Sequence, residues 1–111
     1  MININPATKK IFWTKHAQEK MKHYQLSESR VKRVLRHPLR LEKGIAEKTV
    51  AAMQSAGSKA HPYEIWMMYQ TTNEQIKVIS AWRYPGTTKP GDKIPIPEDI
   101  LSELDGNNYK L

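Results

Sequence analysis

The pattern of hydrophobic residues changes at Pro38, and this change limits the chain to a fold that joins helices to a sheet. Before Pro38, apolar residues recur three or four positions apart, which is the spacing of a helix laid on a core. From there to Tyr84, apolar, β-branched and aromatic residues recur at strand spacing. A chain of 111 residues has room for one hydrophobic core. The sequence therefore predicts one α+β domain.

Two helices are predicted before Pro38. Thr14 and Ser27 are residue types that cap helices, and each precedes a stretch with apolar residues at helical spacing. The predicted helices cover residues 15–24 and about 28–36. Pro38 disfavours helical backbone at the residue before it, so the second helix must end there.

Four to five strands are predicted, and most of them follow Pro38. A short first strand or extended entry covers residues 10–14, and the later strands cover 40–45, 48–54, 63–70 and 75–84. Residues 63–70 are apolar at both odd and even positions, which predicts a central strand covered on both faces. The turn at residues 71–74 is short enough for a hairpin, so antiparallel pairing is expected. The predicted fold is two N-terminal helices packed on a twisted antiparallel sheet.

Proline and glycine become frequent after Tyr84 and predict the end of the sheet. We therefore divide the chain into a domain at residues 1–88 and an extended, proline-containing tail at residues 89–111. Residues 98–104 could form one or two helical turns within this tail. Between Asp92 and Asp105 the chain holds five acidic residues and one lysine, a net charge of −4. This tail could lie over the basic residues near the N-terminus, or it could pack through its isoleucines and leucines against the edge of the sheet, and both alternatives stay open.

Positive charge is concentrated near the N-terminus. The formal net charge of the chain is +7, yet residues 9–43, which we call the basic segment, hold eleven Lys or Arg and three Glu, a net charge of +8. Such a segment beside a neutral sheet is typical of a protein that binds a polyanion, although a merely solvated face has the same composition. The candidate RNA-binding cations are Lys15, Arg33, Arg36 and Arg40.

Several classes of protein are disfavoured by what the sequence lacks. No stretch approaches the roughly 20 apolar residues of a membrane span, and the first residues lack the apolar core of a secretory signal. The chain has no cysteine, so thiol chemistry and cysteine-based zinc sites are excluded. We expect a cytoplasmic protein that uses no cofactor and contacts no membrane.

The candidate catalytic residues lie mainly on the first predicted helix. His16, Lys20 and His23 share one arc of that helix beside its apolar stripe. Cleavage of RNA through its own 2′-OH needs a base, an acid and a cation, which histidine and lysine can supply. Two histidines on a basic helix are also common as solvated residues, and both interpretations stay open. A metal site is not expected, because His16 and His23 lie too far apart for a helical ligand pair.

Arg83 ends the last predicted strand between two aromatic residues, Trp82 and Tyr84. An arginine in this position could hold a phosphate while the rings stack on bases. Aromatic residues at strand spacing also commonly pack in a core, so Trp82 and Tyr84 have two interpretations.

The residues also resemble a known family. The run FWTKHAQEKMKHYQLSESRVKRVLRHP, followed later by VISAWRYPG, is similar to the small RelE-like and BrnT-like branch of bacterial toxins, over about residues 10–86. The resemblance implies the fold of a compact microbial RNase, cleavage of RNA without metal, and a possible partner in an antitoxin protein. It also implies a catalytic role for His16, which matches the histidine of the family's Thr-x-His-Ala start.

Two departures from the family pattern leave an alternative open. Lys20 stands where the family usually has arginine, so the charge is kept without the planar guanidinium. The predicted strand with the sequence KTVAAMQ has no basic residue at its centre, where such toxins often have one. The alternative function is therefore a non-catalytic module of the same fold that binds RNA, an antitoxin or another partner protein.

Overall fold

The computed structural model describes residues 9–104, which form three helices and five strands. In chain order these are β1 (Lys10–Trp13), α1 (Lys15–His23), α2 (Glu28–Arg36), β2 (Arg40–Lys43), β3 (Val50–Gly57), β4 (Pro62–Thr71), β5 (Gln75–Tyr84) and α3 (Glu98–Leu104). The predicted α+β class is confirmed. Asp105 and the rest of the predicted tail beyond it lie outside the described residues, and no helix within residues 9–104 is long and apolar enough to cross a membrane.

The strands form one mixed sheet in the order β1-β5-β4-β3-β2. The pairs from β2 to β5 are antiparallel, as the short turns predicted. In contrast, β1 runs parallel to β5, with Trp13 opposite Val78. The expectation of a wholly antiparallel sheet is therefore wrong at this edge. Parallel neighbours need a long connection, and the chain from α1 to β4 supplies it.

The cap of α1 also attaches this helix to the sheet. The Thr14 hydroxyl accepts a hydrogen bond from the Ala17 amide (3.0 Å) and donates one to the Val78 carbonyl (3.0 Å). β1 ends at Trp13, opposite Val78, and α1 then packs against the remainder of β5. α1 is thereby held beside β5 at the edge of the sheet, where β1 has ended.

The first face of the sheet is covered by α1 and α2. Their apolar stripes meet the sheet in one buried cluster, with Ala17, Met21, Leu26, Val31, Val34 and Leu35 from the helical segment and Ala52, Ile65, Met67, Tyr69, Ile76, Val78 and Ala81 from the strands. Ala17 and Met21 in α1 and Val31, Val34 and Leu35 in α2, which recur at helical spacing, are thus the buried apolar residues of the two helices. This burial is the main contribution that holds both short helices on the sheet.

The second face of the sheet is also apolar, and residues 94–104 cover it. This second core contains Ala51, Met53, Trp66, Met68, Ile79, Trp82, Ile100 and Leu104, with Ile94, Ile96, Tyr24 and Tyr84 at its margin. The Trp66 and Trp82 rings are stacked, with centroids 6.2 Å apart and planes 6° apart. The Trp82 indole N–H donates to the Pro95 carbonyl at 2.8 Å. The prediction that β4 is covered on both faces is confirmed, whereas the division at residue 88 stays a prediction.

The bounds of β3 differ from the predicted ones. The strand begins at Val50 and continues to Gly57, because Ser55 and Ala56 still pair with β4. Gly57 has φ +82°, and a Cβ there would stand 2.3 Å from the His61 carbonyl oxygen. The turn therefore needs glycine at this position.

Candidate functional site

Helix α1 places His16 and Lys20 together against α3. The two residues are four positions apart and so lie on one side of the helix. His23, in the last turn, is exposed and its ring packs edge-on against Tyr24 at 4.7 Å. The structure thus brings together two of the three residues that were predicted to act as a group on α1.

The Lys20 ammonium lies between two carboxylates of α3. Its Nζ is 2.9 Å from Asp99 Oδ2 and 2.9 Å from Glu103 Oε2, and its side chain is 11% exposed. Burial by itself lowers the pKa of Lys20, but the hydrogen bonds and charges of Asp99 and Glu103 outweigh burial and raise it. Lys20 is therefore a charged group whose charge is balanced within the protein.

Both ring nitrogens of His16 have a partner. Nε2 is 3.0 Å from the Ser80 hydroxyl on β5, and Nδ1 is 3.1 Å from Glu103 Oε1. Burial lowers the pKa of His16, and the Glu103 carboxylate opposes this effect without cancelling it. The neutral ring satisfies both contacts when Nδ1–H donates to Glu103 and Nε2 accepts from Ser80. His16 is thus oriented as a neutral imidazole, which is the form that can accept a proton.

Ser80, His16 and Glu103 are in contact in the order hydroxyl, imidazole, carboxylate, which is the arrangement of an activated serine nucleophile. Ser80, however, has no exposed surface, because it lies within β5 and its hydroxyl is bonded to His16 of α1. A substrate carbonyl cannot reach its hydroxyl in this arrangement. Ser80 therefore acts here as a group that orients His16.

Tyr24 completes this set of contacts. Its hydroxyl donates to Asp99 Oδ1 at 2.9 Å, and burial together with Asp99 raises the pKa of Tyr24 to about 12. Burial favours the neutral acid at Asp99, but the hydrogen bonds from Lys20 and Tyr24 outweigh it and lower the pKa of Asp99. We call His16, Lys20, Tyr24, Asp99 and Glu103 the α1–α3 cluster. An open depression lined by Lys15, His16, Glu19 and Glu103 lies at its border.

Arg83 lies at the other end of α1. Its Nε donates to the Tyr24 carbonyl (2.7 Å), its Nη2 donates to the Gln25 carbonyl (3.0 Å), and the guanidinium lies 5.1 Å from the centre of the Tyr63 ring. These contacts satisfy carbonyls at the C-terminal end of the helix. Tyr24 follows His16 by eight residues, or ~12 Å of helix rise. The structure therefore does not bring Arg83 to the same phosphate position as His16.

Two of the candidate RNA contacts lie inside the protein, which corrects the expectation for Arg40 and leaves Trp82 with its core interpretation. Trp82 has no exposed surface. Arg40 is 4% exposed, lies 5.0 Å over the Trp66 ring, and is bonded to Glu42 at 2.8 Å and to the Asp92 carbonyl at 2.9 Å. Their side chains are occupied in holding residues 88–95 on the sheet and are not available to RNA.

The other predicted RNA contacts remain at the surface. Lys15, Arg33 and Arg36 are exposed, and Tyr84 is partly exposed at the margin of the second core. Lys22 adds a further exposed cation on α1. The basic segment therefore keeps cations in contact with solvent even though Lys20 and Arg40 are paired.

In the sequence interpretation Asp99 and Glu103 had a role only as members of the acidic tail segment, with no individual partners, and Glu64 had none. Asp99 and Glu103 are four residues apart on α3, the same spacing as His16 and Lys20 on α1, and that match was the available signal. Glu64 is 1% exposed on the second face and accepts hydrogen bonds from Trp66 Nε1 (2.9 Å) and the Thr88 amide (2.6 Å). In the sequence, the only sign of this role of Glu64 is a carboxylate within an apolar strand.

Within residues 9–104, no three His, Asp or Glu side chains are arranged to hold a metal ion. The site that these residues define is a cationic and imidazole-bearing helix face, held at a sheet edge and covered by an acidic helix. No family model, curated protein or solved structure matches this chain significantly. The function must therefore be inferred from the chain's own residues.

Proposed function

We propose that this domain is a RelE-like, toxin-type endoribonuclease with an acidic C-terminal tail, acting in the cytoplasm and regulated by an antitoxin protein. The observation that carries the proposal is the pairing of an oriented, neutral His16 with a charged Lys20 on one side of α1. A base and a cation in adjacent helical turns suit attack on a phosphodiester.

The proposed reaction uses the 2′-OH of the RNA as the nucleophile. His16 takes the proton of the 2′-OH, and the 2′ oxygen attacks the adjacent phosphorus as the bond to the 5′ oxygen breaks. The departing 5′ oxygen takes up the proton that His16 accepted, which gives a 2′,3′-cyclic phosphate and a 5′-OH. Lys20 stabilises the negative charge of the transition state. His23 lies ~10 Å from His16 along α1 and is a weaker candidate for this second proton transfer.

This reaction requires α3 to move away from α1. Both ring nitrogens of His16 are bonded, and the charge of Lys20 is balanced by Asp99 and Glu103. The same contacts favour a second candidate function, in which the domain binds RNA or an acidic partner protein without cleaving anything. In that case His16 and Lys20 are structural residues, and the exposed cations Lys15, Arg33 and Arg36 make the contacts.

The test compares the wild-type chain with His16→Gln in binding and cleavage of a single-stranded RNA. We expect His16→Gln to lose cleavage by at least about 100-fold, the lower range for general base catalysis, and to keep most of its RNA affinity, because Lys20 and the exposed cations remain. The control is His61→Ala, because His61 is exposed in the turn before β4 and, within residues 9–104, only its backbone is hydrogen-bonded. Products should carry a cyclic phosphate and should form in the presence of a chelator.

The outcomes separate the candidates. RNA binding without cleavage by the wild-type chain favours the binding module, and products with a 3′-OH contradict the 2′-OH reaction.

If Lys15, Lys22, Arg33 and Arg36 each neutralise one phosphate, affinity for single-stranded RNA should fall ~50-fold between about 50 and about 200 mM salt. Affinity that does not change with salt would contradict a role for the basic segment.

A further inference from the structure

All four carboxylate oxygens of Asp99 and Glu103 are bonded to side chains of α1 or its C-cap. Asp99 Oδ1 accepts from the Tyr24 hydroxyl and Asp99 Oδ2 accepts from Lys20, while Glu103 Oε2 accepts from Lys20 and Glu103 Oε1 faces His16 Nδ1, all within 2.9–3.1 Å. An ammonium, an imidazole and a phenol thus surround four anionic oxygens. These donor types also bind phosphate oxygens.

The acidic side chains are not what fixes α3 to the sheet. Ile100 is fully buried and Leu104 is 5% exposed in the second core, so burial of apolar surface holds the helix. The side chains of Asp99 and Glu103 are 38% and 42% exposed. Water screens carboxylates of that exposure, so their attraction adds little to the docking of α3 itself. The contacts of Asp99 and Glu103 therefore call for an explanation other than the docking of α3.

Charge balance offers that explanation. Lys20 is the least exposed cation of α1, with 11% of its side chain accessible, and without the two carboxylates it would be an uncompensated buried charge. Any ligand that replaces α3 at this place must therefore bring negative oxygens. A phosphodiester group has such oxygens, and a neutral ligand does not.

We propose that His16, Lys20 and Tyr24 form a binding site for phosphodiester oxygens and that α3 is its intramolecular occupant, which RNA must displace. The inference rests on the proposed function in naming RNA as the ligand, but the anion site itself can be tested without RNA. α3 acts as a competitor at high effective concentration, because it is joined to the sheet through residues 85–97. RNA can bind the site only in molecules in which α3 has left it. The apparent affinity for RNA is therefore the intrinsic affinity multiplied by the fraction of molecules in which the site is open.

The experiment compares two double variants with the same net charge. In Asp99→Asn/Glu103→Gln, the anionic oxygens are removed while Ile100 and Leu104 remain in place. In the control, Glu47→Gln/Glu98→Gln, both changes fall on exposed residues, one of them on α3 itself. Each protein is titrated with a single-stranded RNA and separately with inorganic polyphosphate, and thermal unfolding checks that it is folded. Glu103→Gln alone serves as a milder variant, because it retains the contact between Lys20 and Asp99.

We expect Asp99→Asn/Glu103→Gln to bind RNA at least about tenfold more tightly than the charge-matched control, with Glu103→Gln between them. Equal RNA affinity of the two double variants would overturn the inference and leave the proposed RNA function standing. If no variant binds RNA but Asp99→Asn/Glu103→Gln binds polyphosphate more tightly, the anion site is supported and the proposed RNA function fails. Equal affinity for polyphosphate in that case would overturn both.

Discussion

A histidine that is packed between a helix and a sheet resists protonation, and His16 illustrates this effect. Burial lowers its pKa below the ordinary value of 6.5, which the unfolded chain should show. On acidification through that value the unfolded chain binds a proton more readily than the folded one. The free energy of unfolding should therefore fall as the pH drops from 6.5 toward the folded-state pKa. Above pH 6.5, His16 should not make the free energy of unfolding depend on pH.

The measurement is urea unfolding at about pH 7.5 and about pH 5.5 for the wild-type chain and His16→Gln. We expect a smaller loss of stability on acidification in His16→Gln. Asp99 does not interfere, because its pKa is held below its ordinary value of 3.8 and its contribution is lost only at lower pH. An equal loss in both proteins would contradict the burial effect on His16.

Two residues on neighbouring positions of α3 are expected to differ sharply in their effect on stability. Ile100 is fully buried in the second core, whereas Leu101 is 44% exposed. Ile100→Ala should lower the free energy of unfolding by about 2–5 kcal/mol, because it removes buried methyl groups and leaves a cavity. Leu101→Ala should change it by less than about 0.5 kcal/mol. Chemical unfolding measures both, and similar losses would contradict the docking of α3 through its apolar side.

At the scale of the elements, the helices before Pro38 were predictable because their signals are local. Thr14 accepts from Ala17 and Ser27 accepts from Arg30, which are the capping contacts that the residue types predicted. The parallel pairing of β1 with β5 was not predictable in the same way. Its partners are more than sixty residues apart, and no periodicity in either strand records which neighbour it has.

The candidate site was predictable on one side only. The helical spacing of His16 and Lys20 gave their common face, but nothing local linked that face to Asp99 and Glu103. Which of the two interpretations of Trp82 is right was not predictable for a related reason. The second face of the sheet is covered by residues 94–104, whose prolines leave no regular apolar pattern to identify them as a cover.

For the whole molecule, truncation after residue 88 tests the predicted boundary between the domain and its tail. Removal of residues 89–111 would expose Met53, Trp66 and Trp82 to water and would leave Arg40 without its bond to the Asp92 carbonyl. We expect the shortened chain to aggregate or to lose cooperative unfolding. Thermal scans and size-exclusion chromatography measure this outcome. A monomer that melts as the full chain does would support a separable tail.

The stacked indoles of Trp66 and Trp82 give the molecule an internal optical reporter. Trp82 is bonded to Pro95 in the chain segment that leads to α3, and neither ring is in contact with water. Indole fluorescence shifts to longer wavelength when water reaches the ring. Undocking of residues 94–104 should therefore be visible in real time without a label, and replacement of Trp13, which packs against the helical core, leaves Trp66 and Trp82 as the only tryptophans that report it.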